Sequence, residues 1–256
     1  MSAETTAVTL TALSGIPAIQ PGDDIAAILA EALAATRREV RDGDVLVVTH
    51  KIISKAEDRY RSLADVTPSA EARALAAETG KDAALVEVVL SESRQVLRSR
   101  PELIITEHRL GLVMANAGID QSNIGADGAR VLLLPEDPDA SAAALRSALQ
   151  ARVGIDMAVV VSDSVGRAWR NGVVGLAIGA AGIPALQDLR GRSDLDGRSL
   201  KVTQVGLADE IASAAELLMG EADEGVPAVL VQGVRWREAP VAAAALIREP
   251  GQDLFR

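Results

Sequence analysis

The sequence predicts an α+β protein, because strand-like apolar runs and amphipathic helical stretches alternate irregularly along its 256 residues. The run at 45–48 is continuously apolar, which is typical of a strand buried on both faces, and the run at 157–161 repeats that pattern. Neither an internal repeat nor a low-complexity linker divides the chain. We therefore expect one domain over residues 1–256, or two interlocked subdomains within it.

Turns and capping residues predict the elements of the first half. Alternating apolar positions indicate a strand at 8–13, and Asp23 or Asp24 is the expected N-cap of a helix over residues 25–33. Residues 69–99 are rich in helix-forming residues and are interrupted only by Gly80, which predicts two helices. Further short strands are predicted at 103–106, 112–114 and 131–134.

The second half continues in the same mixed manner. A helix is expected from Pro138 to about residue 149, ahead of the strand at 157–161. Residues 163–197 are punctuated by glycines and lack periodicity, so we predict a functional loop region with only short elements. The closing segments are expected to be a strand at 200–205, a helix at 209–218 and a strand at 226–231.

Composition excludes several classes of function. With 36 acidic and 26 basic residues the formal charge is -10, which argues against a nucleic-acid partner. The chain has no cysteine, so thiol nucleophiles, disulfides and thiolate metal sites are excluded, and any metal must sit on oxygen or imidazole. No signal peptide and no stretch of roughly 20 apolar residues is present. We therefore expect a cytoplasmic protein without a membrane partner.

The segment around Asp120 is the first candidate for a site. This carboxylate lies among Gly118, Gln121, Ser122 and Asn123, beyond a predicted strand. Small and glycine-rich loops bring the backbone close to a ligand. An ordinary surface turn uses the same residue types, so the spacing alone leaves that alternative open.

The segment after the strand at 157–161 is the second candidate. It delivers Asp163 and Ser164 at the carboxyl end of the strand, where sites gather in such folds, and Arg167 and Arg170 follow. The forked guanidinium groups suit phosphate or carboxylate oxygens. If Asp163 and Asp120 converge at about 4 Å, their repulsion is roughly 4 kcal/mol, and a Mg²⁺ or Mn²⁺ ion would offset it. The alternative is a turn-capping aspartate with solvated arginines.

A third polar cluster follows the strand at 45–48. His50, Lys51 and Lys55 lie there, and Lys55 could contact a phosphate as a point charge. His50 and His108 are the only histidines, and a structural role for each is the simpler interpretation. Neither a P-loop nor a dinucleotide-binding fingerprint occurs. The residues alone therefore predict an acidic α+β enzyme with a carboxylate, metal and phosphate site.

Six ordered motifs carry a more specific signal. Together they resemble the coenzyme F-420:glutamate ligase family, and the resemblance spans almost the whole chain. The motifs begin at Ser14 (SGIPAIQPGDD), Asp42 (DGDVLVVTHKIISKAEDR), Ile105 (ITEHRLGLVMANAGIDQSNIG), Leu133 (LLPEDPDASAAALR), Val159 (VVVSDSVGRAWRNG) and Ala208 (ADEIASAAELLMGEA).

The resemblance implies a GTP-dependent enzyme that ligates L-glutamate to coenzyme F-420-0 and extends the γ-linked glutamate tail through an acyl phosphate. It also implies Mg²⁺ or Mn²⁺, with K⁺ as a further ion, and a family-specific mixed α/β architecture that forms an intertwined homodimer. Some relatives carry an additional C-terminal flavin domain. This chain ends after the ligase part, so neither that domain nor FMN is expected.

Family positions carry over residue by residue. Asp120 and Asp163 match the metal aspartates, Ser164 matches a hydroxyl ligand of a second ion, and Lys55 joins the two aspartates as a catalytic candidate. Gln204 is a further candidate for the metal and the nucleotide. The remaining positions that match GTP contacts are Ile16, Pro17, Ala18, Ile19, His50 and Asn123. His50 replaces a serine and Ala18 replaces a glutamate of some relatives. Arg167 and Arg170 are added as substrate contacts from charge alone.

Two other functions fit the same residues. A metal-dependent phosphohydrolase could use Asp120 and Asp163 and would release phosphate without an amino acid. A non-catalytic nucleotide-binding subunit would bind GTP without turnover.

Overall fold

The computed structural model describes residues 7–121 and 130–254, which form six α-helices and twelve strands. The strands are β1 (Thr9–Ala12), β2 (Val45–Thr49), β3 (Tyr60–Ser62), β4 (Ser93–Arg100), β5 (Leu103–His108), β6 (Val113–Ala115), β7 (Arg130–Leu132), β8 (Ala158–Arg167), β9 (Arg170–Ala181), β10 (Gln187–Asp188), β11 (Gln204–Val205) and β12 (Ala228–Gln232). The helices are α1 (Ile25–Ala35), α2 (His50–Ala56), α3 (Ala70–Thr79), α4 (Ala83–Ser91), α5 (Pro138–Val153) and α6 (Leu207–Met219). The mixed α/β architecture is confirmed.

A five-stranded sheet forms the centre of the molecule, in the order β1, β12, β2, β8 and β9. β2 and β8 run parallel, and every other neighbouring pair in this sheet is antiparallel. The residues of β2 alternate between two cores: Leu46 and Val48 pack with α1 and α5, whereas Val45 and Val47 pack with α6. The sheet is therefore covered by helices on both faces, as the apolar run at 45–48 predicted.

A smaller layer stands beside the central sheet. The antiparallel strands β4, β5 and β6 form one sheet, and α3 and α4 pack on it through Ala72, Val86 and Val89 around Ile104. The short pair of β3 and β7 lies between this layer and α2. No helix among the described residues combines the length and apolar character that a membrane span needs.

Local capping explains where the helices begin and end. The Asp24 carboxylate accepts a hydrogen bond from the Ala27 N–H at 3.0 Å, so Asp24 is the N-cap of α1. Asp23 instead accepts from the Gln20 N–H in the preceding turn. Gly80 ends α3 in the left-handed conformation, as its place in the sequence predicted.

Three segments differ from the sequence prediction. Residues 93–99 were expected to be helical but belong to β4, because their backbone pairs with β5. The prediction of a loop region with only short elements at 163–197 is wrong up to residue 181, because this stretch contains the end of β8 and the 12-residue strand β9. The strand predicted at 200–205 is reduced to β11, which pairs with β10.

Candidate functional site

The parallel pairing of β2 and β8 brings His50 and Asp163 together. Thr49 and Ser162 are partners in the register, so the residues that follow them lie side by side at the carboxyl ends of the two strands. The His50 Nε2 atom is 3.3 Å from Asp163 Oδ1, and its Nδ1 atom is 3.3 Å from the Ser54 hydroxyl. His50 is buried, at 1% exposure, so this imidazole is held between two oxygen partners.

Asp120 reaches the same region from a different part of the chain. Its backbone exchanges two hydrogen bonds of 2.9 Å with Leu132, which fixes the segment against β7. The Lys51 Nζ atom lies 2.8 Å from Asp120 Oδ2. Lys51 belongs to the first turn of α2, so adjacent residues, His50 and Lys51, contact the two predicted metal aspartates.

The backbone that leads to Asp120 is strained. Asn116, Ala117 and Gly118 adopt positive φ angles of 49°, 54° and 66° in succession. Such a conformation costs free energy for residues other than glycine and gathers at ligand-binding segments. Gly118 is also confined by space, because a Cβ atom there would lie 3.0 Å from the Met114 side chain. The surrounding core therefore holds the Asp120 segment in one particular path.

Two cavities meet at Asp163, and one of them also reaches Asp120. The first has a volume of about 320 Å³ and contains Asp120, His50, Asn116 and Gly118 in its lining. The second has a volume of about 300 Å³ and lies against Ile16, Pro17, Ala18, Lys55 and the segment from Met219 to Pro227. Four side chains line both cavities: Lys51, Asp163, Ser164 and Glu221. A ligand in either cavity would therefore touch the same polar centre.

The electrostatics of this centre are dominated by carboxylates. Burial, together with the hydrogen bond and the negative charge of Glu221 and the charge of Asp163, raises the pKa of Glu216 to about 7, and Lys51 opposes this effect. The pKa of Lys55 is lowered by burial and by the charge of Lys51, whereas Asp120 raises it. Acidic and basic groups from α2, β8 and the end of α6 therefore influence one another's pKa in this region.

The structure brings together most of the residues that the sequence singled out. Asp120, Asp163, Ser164, His50 and Lys55 line the two cavities, and so do Ile16, Pro17 and Ala18. Ile19 follows these but is buried in the core. Asn123 lies outside the described residues.

Three predicted residues lie away from both cavities in this chain. Arg167 and Arg170 are at the exposed end of the hairpin formed by β8 and β9, where the Arg167 guanidinium donates a hydrogen bond to the Asn171 carbonyl at 3.1 Å. Gln204 is exposed on β11, ahead of the first turn of α6, whereas the two cavities meet near the last turn of that helix.

Sequence reasoning missed Glu216 and Glu221, and it gave Lys51 no role. The signal for the two glutamates was their position around the end of α6, where Gly220 is followed by several acidic residues. Acidic residues next to a helix end are common on surfaces, so this pattern has no specificity without the fold. The signal for Lys51 was its position after a buried strand, four residues before Lys55.

The donor groups fit a hard divalent cation. Mg²⁺ and Mn²⁺ bind carboxylate, hydroxyl and phosphate oxygens, and Asp120, Asp163, Glu221 and Ser164 present such groups in the first cavity. Within residues 7–121 and 130–254, no three acidic or histidine side chains stand close enough to hold an ion by themselves.

The fold and the site define a mixed α/β protein with a polar, carboxylate-rich centre between two ligand-sized cavities. Comparison with known proteins specifies the class further: the chain belongs to the F420-0:gamma-glutamyl ligase family, whose model matches residues 15–233. The predicted family is thus confirmed.

Individual relatives match over nearly their full length. Coenzyme F420:L-glutamate ligase of Methanopyrus kandleri is 50% identical over 242 residues, which cover 93% of each protein. The enzyme of the same name from Methanothermobacter thermautotrophicus is 43% identical over 251 residues, covering 97% of this chain and 99% of that protein. A third, from Haloarcula marismortui, is 39% identical over 251 residues.

Proposed function

We propose that the protein is a GTP-dependent ligase that joins L-glutamate to coenzyme F-420-0 and extends the tail by γ-linked glutamates. The observation that carries the proposal is that Asp163, Lys51 and Ser164 lie at the junction of two cavities, with Asp120 in contact with Lys51. The relatives named coenzyme F420:L-glutamate ligase share 39–50% of their aligned residues with the chain, which supports the ligation of glutamate to this coenzyme.

The chemistry explains why two cavities must share one polar centre. A carboxylate resists attack by an amine, so its oxygen first bonds to the γ-phosphorus of GTP while the bond from that phosphorus to the β-phosphate oxygen breaks and GDP leaves. The glutamate nitrogen, after losing a proton, then bonds to the carbonyl carbon, and the carbon–oxygen bond to phosphate breaks. Nucleotide and acceptor must therefore meet end to end.

The residues of the second cavity are suited to the nucleotide. Lys55 supplies a positive charge for phosphate oxygens, and Ile16, Pro17 and Ala18 form the wall beside it. Asp120, Asp163, Ser164 and Glu221 would hold Mg²⁺ or Mn²⁺ together with phosphate oxygens, and K⁺ is a further candidate ion. Such an ion would supply positive charge that offsets the charge of the phosphate oxygens during transfer. His50 orients the Asp163 carboxylate.

A homodimer is part of the same proposal. Trp169, at the end of the hairpin of β8 and β9, is 85% exposed, and Leu195, Val202 and Leu217 are also exposed. Large apolar side chains in this state favour contact with another protein surface. Arg167, Arg170 and Gln204 lie on or beside these exposed segments, so a second copy is the means by which they would reach a site. Light scattering should give twice the chain mass of 26.6 kDa, and a single chain mass would contradict the proposal.

A direct assay tests the ligase. The protein is incubated with GTP, Mn²⁺, coenzyme F-420-0 and L-glutamate, and mass spectrometry measures glutamyl increments. We expect GDP release that requires both acceptor and glutamate. Phosphate release without an amino acid would indicate a phosphohydrolase, and GTP binding without turnover would indicate a nucleotide-binding subunit.

A matched pair of variants tests the role of the polar centre. Asp163→Asn should lower the rate of product formation by about 10²–10³-fold, because it removes negative charge that would hold the cation and phosphates in place. Asp65→Asn, at an exposed position of the turn Leu63–Asp65, should have no effect. Equal activity of the two variants would rule out the assigned role of Asp163.

A further inference from the structure

A third cavity, of about 680 Å³, lies at the amino-terminal ends of the parallel strands β2 and β8. Gly43 and Asp156 in its lining precede these strands, and Val234 follows β12, which runs antiparallel to β2. Thr49, which lines the second cavity, ends β2 and is six positions after Gly43. At the rise of an extended chain, this separation places the third cavity roughly 20 Å from the polar centre.

Arginines give the third cavity a positive balance, although the whole chain has a formal charge of -10. Four arginines line it against three carboxylates: Arg146, Arg192, Arg235 and Arg237, against Asp42, Asp156 and Glu238. Two of these arginines form ion pairs within the wall, Arg146 with Asp156 and Arg192 with Glu238. The excess of positive charge favours an anionic ligand.

Arg235 and Arg237 supply the charge that remains available to a ligand. Both side chains are exposed, and neither forms an ion pair in the part of the chain that the structure describes. The third carboxylate, Asp42, accepts a hydrogen bond from the Asp156 N–H at 2.8 Å. A guanidinium group presents a planar fork of donors that fits the oxygens of a phosphate or carboxylate. The two exposed arginines are therefore suited to hold such a group.

Internal contacts hold the rest of the wall in place. Glu238, besides its ion pair with Arg192, accepts a hydrogen bond from Gln187 Nε2 at 3.0 Å. Gly182 makes room for Arg146, because a Cβ atom at this position would lie 2.5 Å from the Arg146 Nε atom. The cavity is thus formed before any ligand enters, and its volume falls within the roughly 300–1,000 Å³ of small-molecule sites.

A tryptophan lies between the two exposed arginines in the sequence. Trp236 is one of only two tryptophans in the chain. It is half-buried, packs against the core on the α6 side of the central sheet and also lines the third cavity. An indole offers a flat apolar face on which another planar ring can stack. A ligand with a ring and an anionic group would match both features of this wall.

We propose that the third cavity binds an anion that carries a planar ring, with the ring against Trp236 and the anionic group at Arg235 and Arg237. This site goes beyond the proposed function, because it lies apart from the polar centre and contains none of the groups assigned to ligation. Purine nucleotides and the phosphate-bearing coenzyme share the required chemistry.

The small number of tryptophans allows a direct measurement. In Trp169→Phe, Trp236 is the only tryptophan, so its fluorescence reports a ligand in the third cavity. GMP, added without divalent ions, should change this fluorescence with a Kd below about 1 mM. Guanosine, which lacks the phosphate, and inorganic phosphate, which lacks the ring, should each bind at least about 10-fold more weakly than GMP.

Two matched pairs of exposed arginines separate a specific site from a general effect of charge. Arg235→Ala combined with Arg237→Ala should weaken GMP binding at least about 10-fold, because the donors for the phosphate are lost. Arg73→Ala combined with Arg100→Ala, at exposed positions of α3 and β4, should leave it unchanged. Asp163→Asn should also leave it unchanged, because the polar centre is distant.

Calorimetry with the coenzyme identifies the natural class of ligand. Coenzyme binding that weakens when Arg235 and Arg237 are removed assigns the site to the coenzyme, and weakening of GMP binding alone assigns it to nucleotides; either result supports the proposal without requiring ligase activity. The proposal is overturned if neither ligand depends on these arginines, or if phosphate binds as tightly as GMP. Equal weakening of GMP binding in Asp163→Asn or in the control pair would also overturn it.

Discussion

Glu92 is the centre of a half-buried ionic cluster that joins the smaller layer to the central sheet. Its carboxylate is 2.9 Å from Arg109 Nε, 3.4 Å from Arg59 Nη2 and 3.5 Å from His108 Nε2. Arg59 also donates a hydrogen bond to the Leu134 carbonyl at 2.8 Å. Because His108 Nδ1 accepts from the Leu110 N–H, the proton of a neutral imidazole lies on Nε2, toward Glu92. Replacing Glu92 should therefore weaken the junction of the two layers.

The size of the effect follows from the pKa of Glu92. Burial is the largest single influence and raises the pKa, but hydrogen bonds from His108 and Arg109 and the charges of Arg109 and Arg59 together lower it from 4.5 to about 2. At about 1.4 kcal/mol per pKa unit, the ionised carboxylate contributes about 3 kcal/mol to the free energy of unfolding at neutral pH. A lowered pKa means that this stability is present above about pH 4.5 and is lost as pH falls toward 2.

The test compares wild type with Glu92→Gln by urea unfolding at one protein concentration. We expect the variant to be less stable by about 3 kcal/mol at pH 7 and by about half of that at pH 3, because at pH 3 the unfolded wild-type chain binds a proton at Glu92 that the folded chain largely lacks. Glu31→Gln, at an exposed position in α1, should change stability by less than about 0.5 kcal/mol. A difference between wild type and Glu92→Gln that stays constant from pH 7 to pH 3 would refute the reasoning.

Two further substitutions test the packing around β9. Gly175→Ala should lower the free energy of unfolding by about 1–3 kcal/mol, because a Cβ atom would lie 2.6 Å from the Ala212 carbonyl oxygen of α6; Gly251→Ala meets no atom within 4 Å and should be neutral in the same urea titration. Asp139→Asn should lower the free energy of unfolding by about 1–3 kcal/mol, because an amide cannot accept all three backbone N–H groups. In this variant the amide hydrogens of residues 243–244 should exchange faster, whereas the control variant Glu136→Gln should leave their exchange unchanged.

The elements predicted best are those that local chemistry fixes. The β2 run, the Asp24 cap and the Gly80 stop each contain their own signal, and the structure has all three. β9 carried no such signal, since its glycines usually weaken strands. In the fold, Gly175 and Gly179 allow α6 and α5 to approach the sheet more closely than a side chain would permit. These glycines are needed because distant segments come into contact there, and a sequence pattern contains no information about such contacts.

The same distinction separates the predicted from the missed site residues. Asp163 follows a buried strand, so its place at a sheet edge could be inferred from its neighbours alone. Glu216 and Glu221 acquire their role only when the end of α6 packs beside β8, as the influence of Asp163 on the pKa of Glu216 indicates. Lys51 likewise gains its significance from its contact with Asp120, which comes from a segment 69 positions later in the chain.

The balance of charge at the polar centre constrains how such a site could work. Asp120, Asp163 and the glutamates around the end of α6 outnumber Lys51 and Lys55, so a polyphosphate entering alone would meet net negative charge. A divalent ion would offset much of this negative charge and, under the proposed function, would strengthen nucleotide binding. Thermodynamic linkage then requires that the nucleotide strengthen binding of the ion by the same factor. Under the proposed function, the nucleotide and the ion would therefore each complete the site for the other.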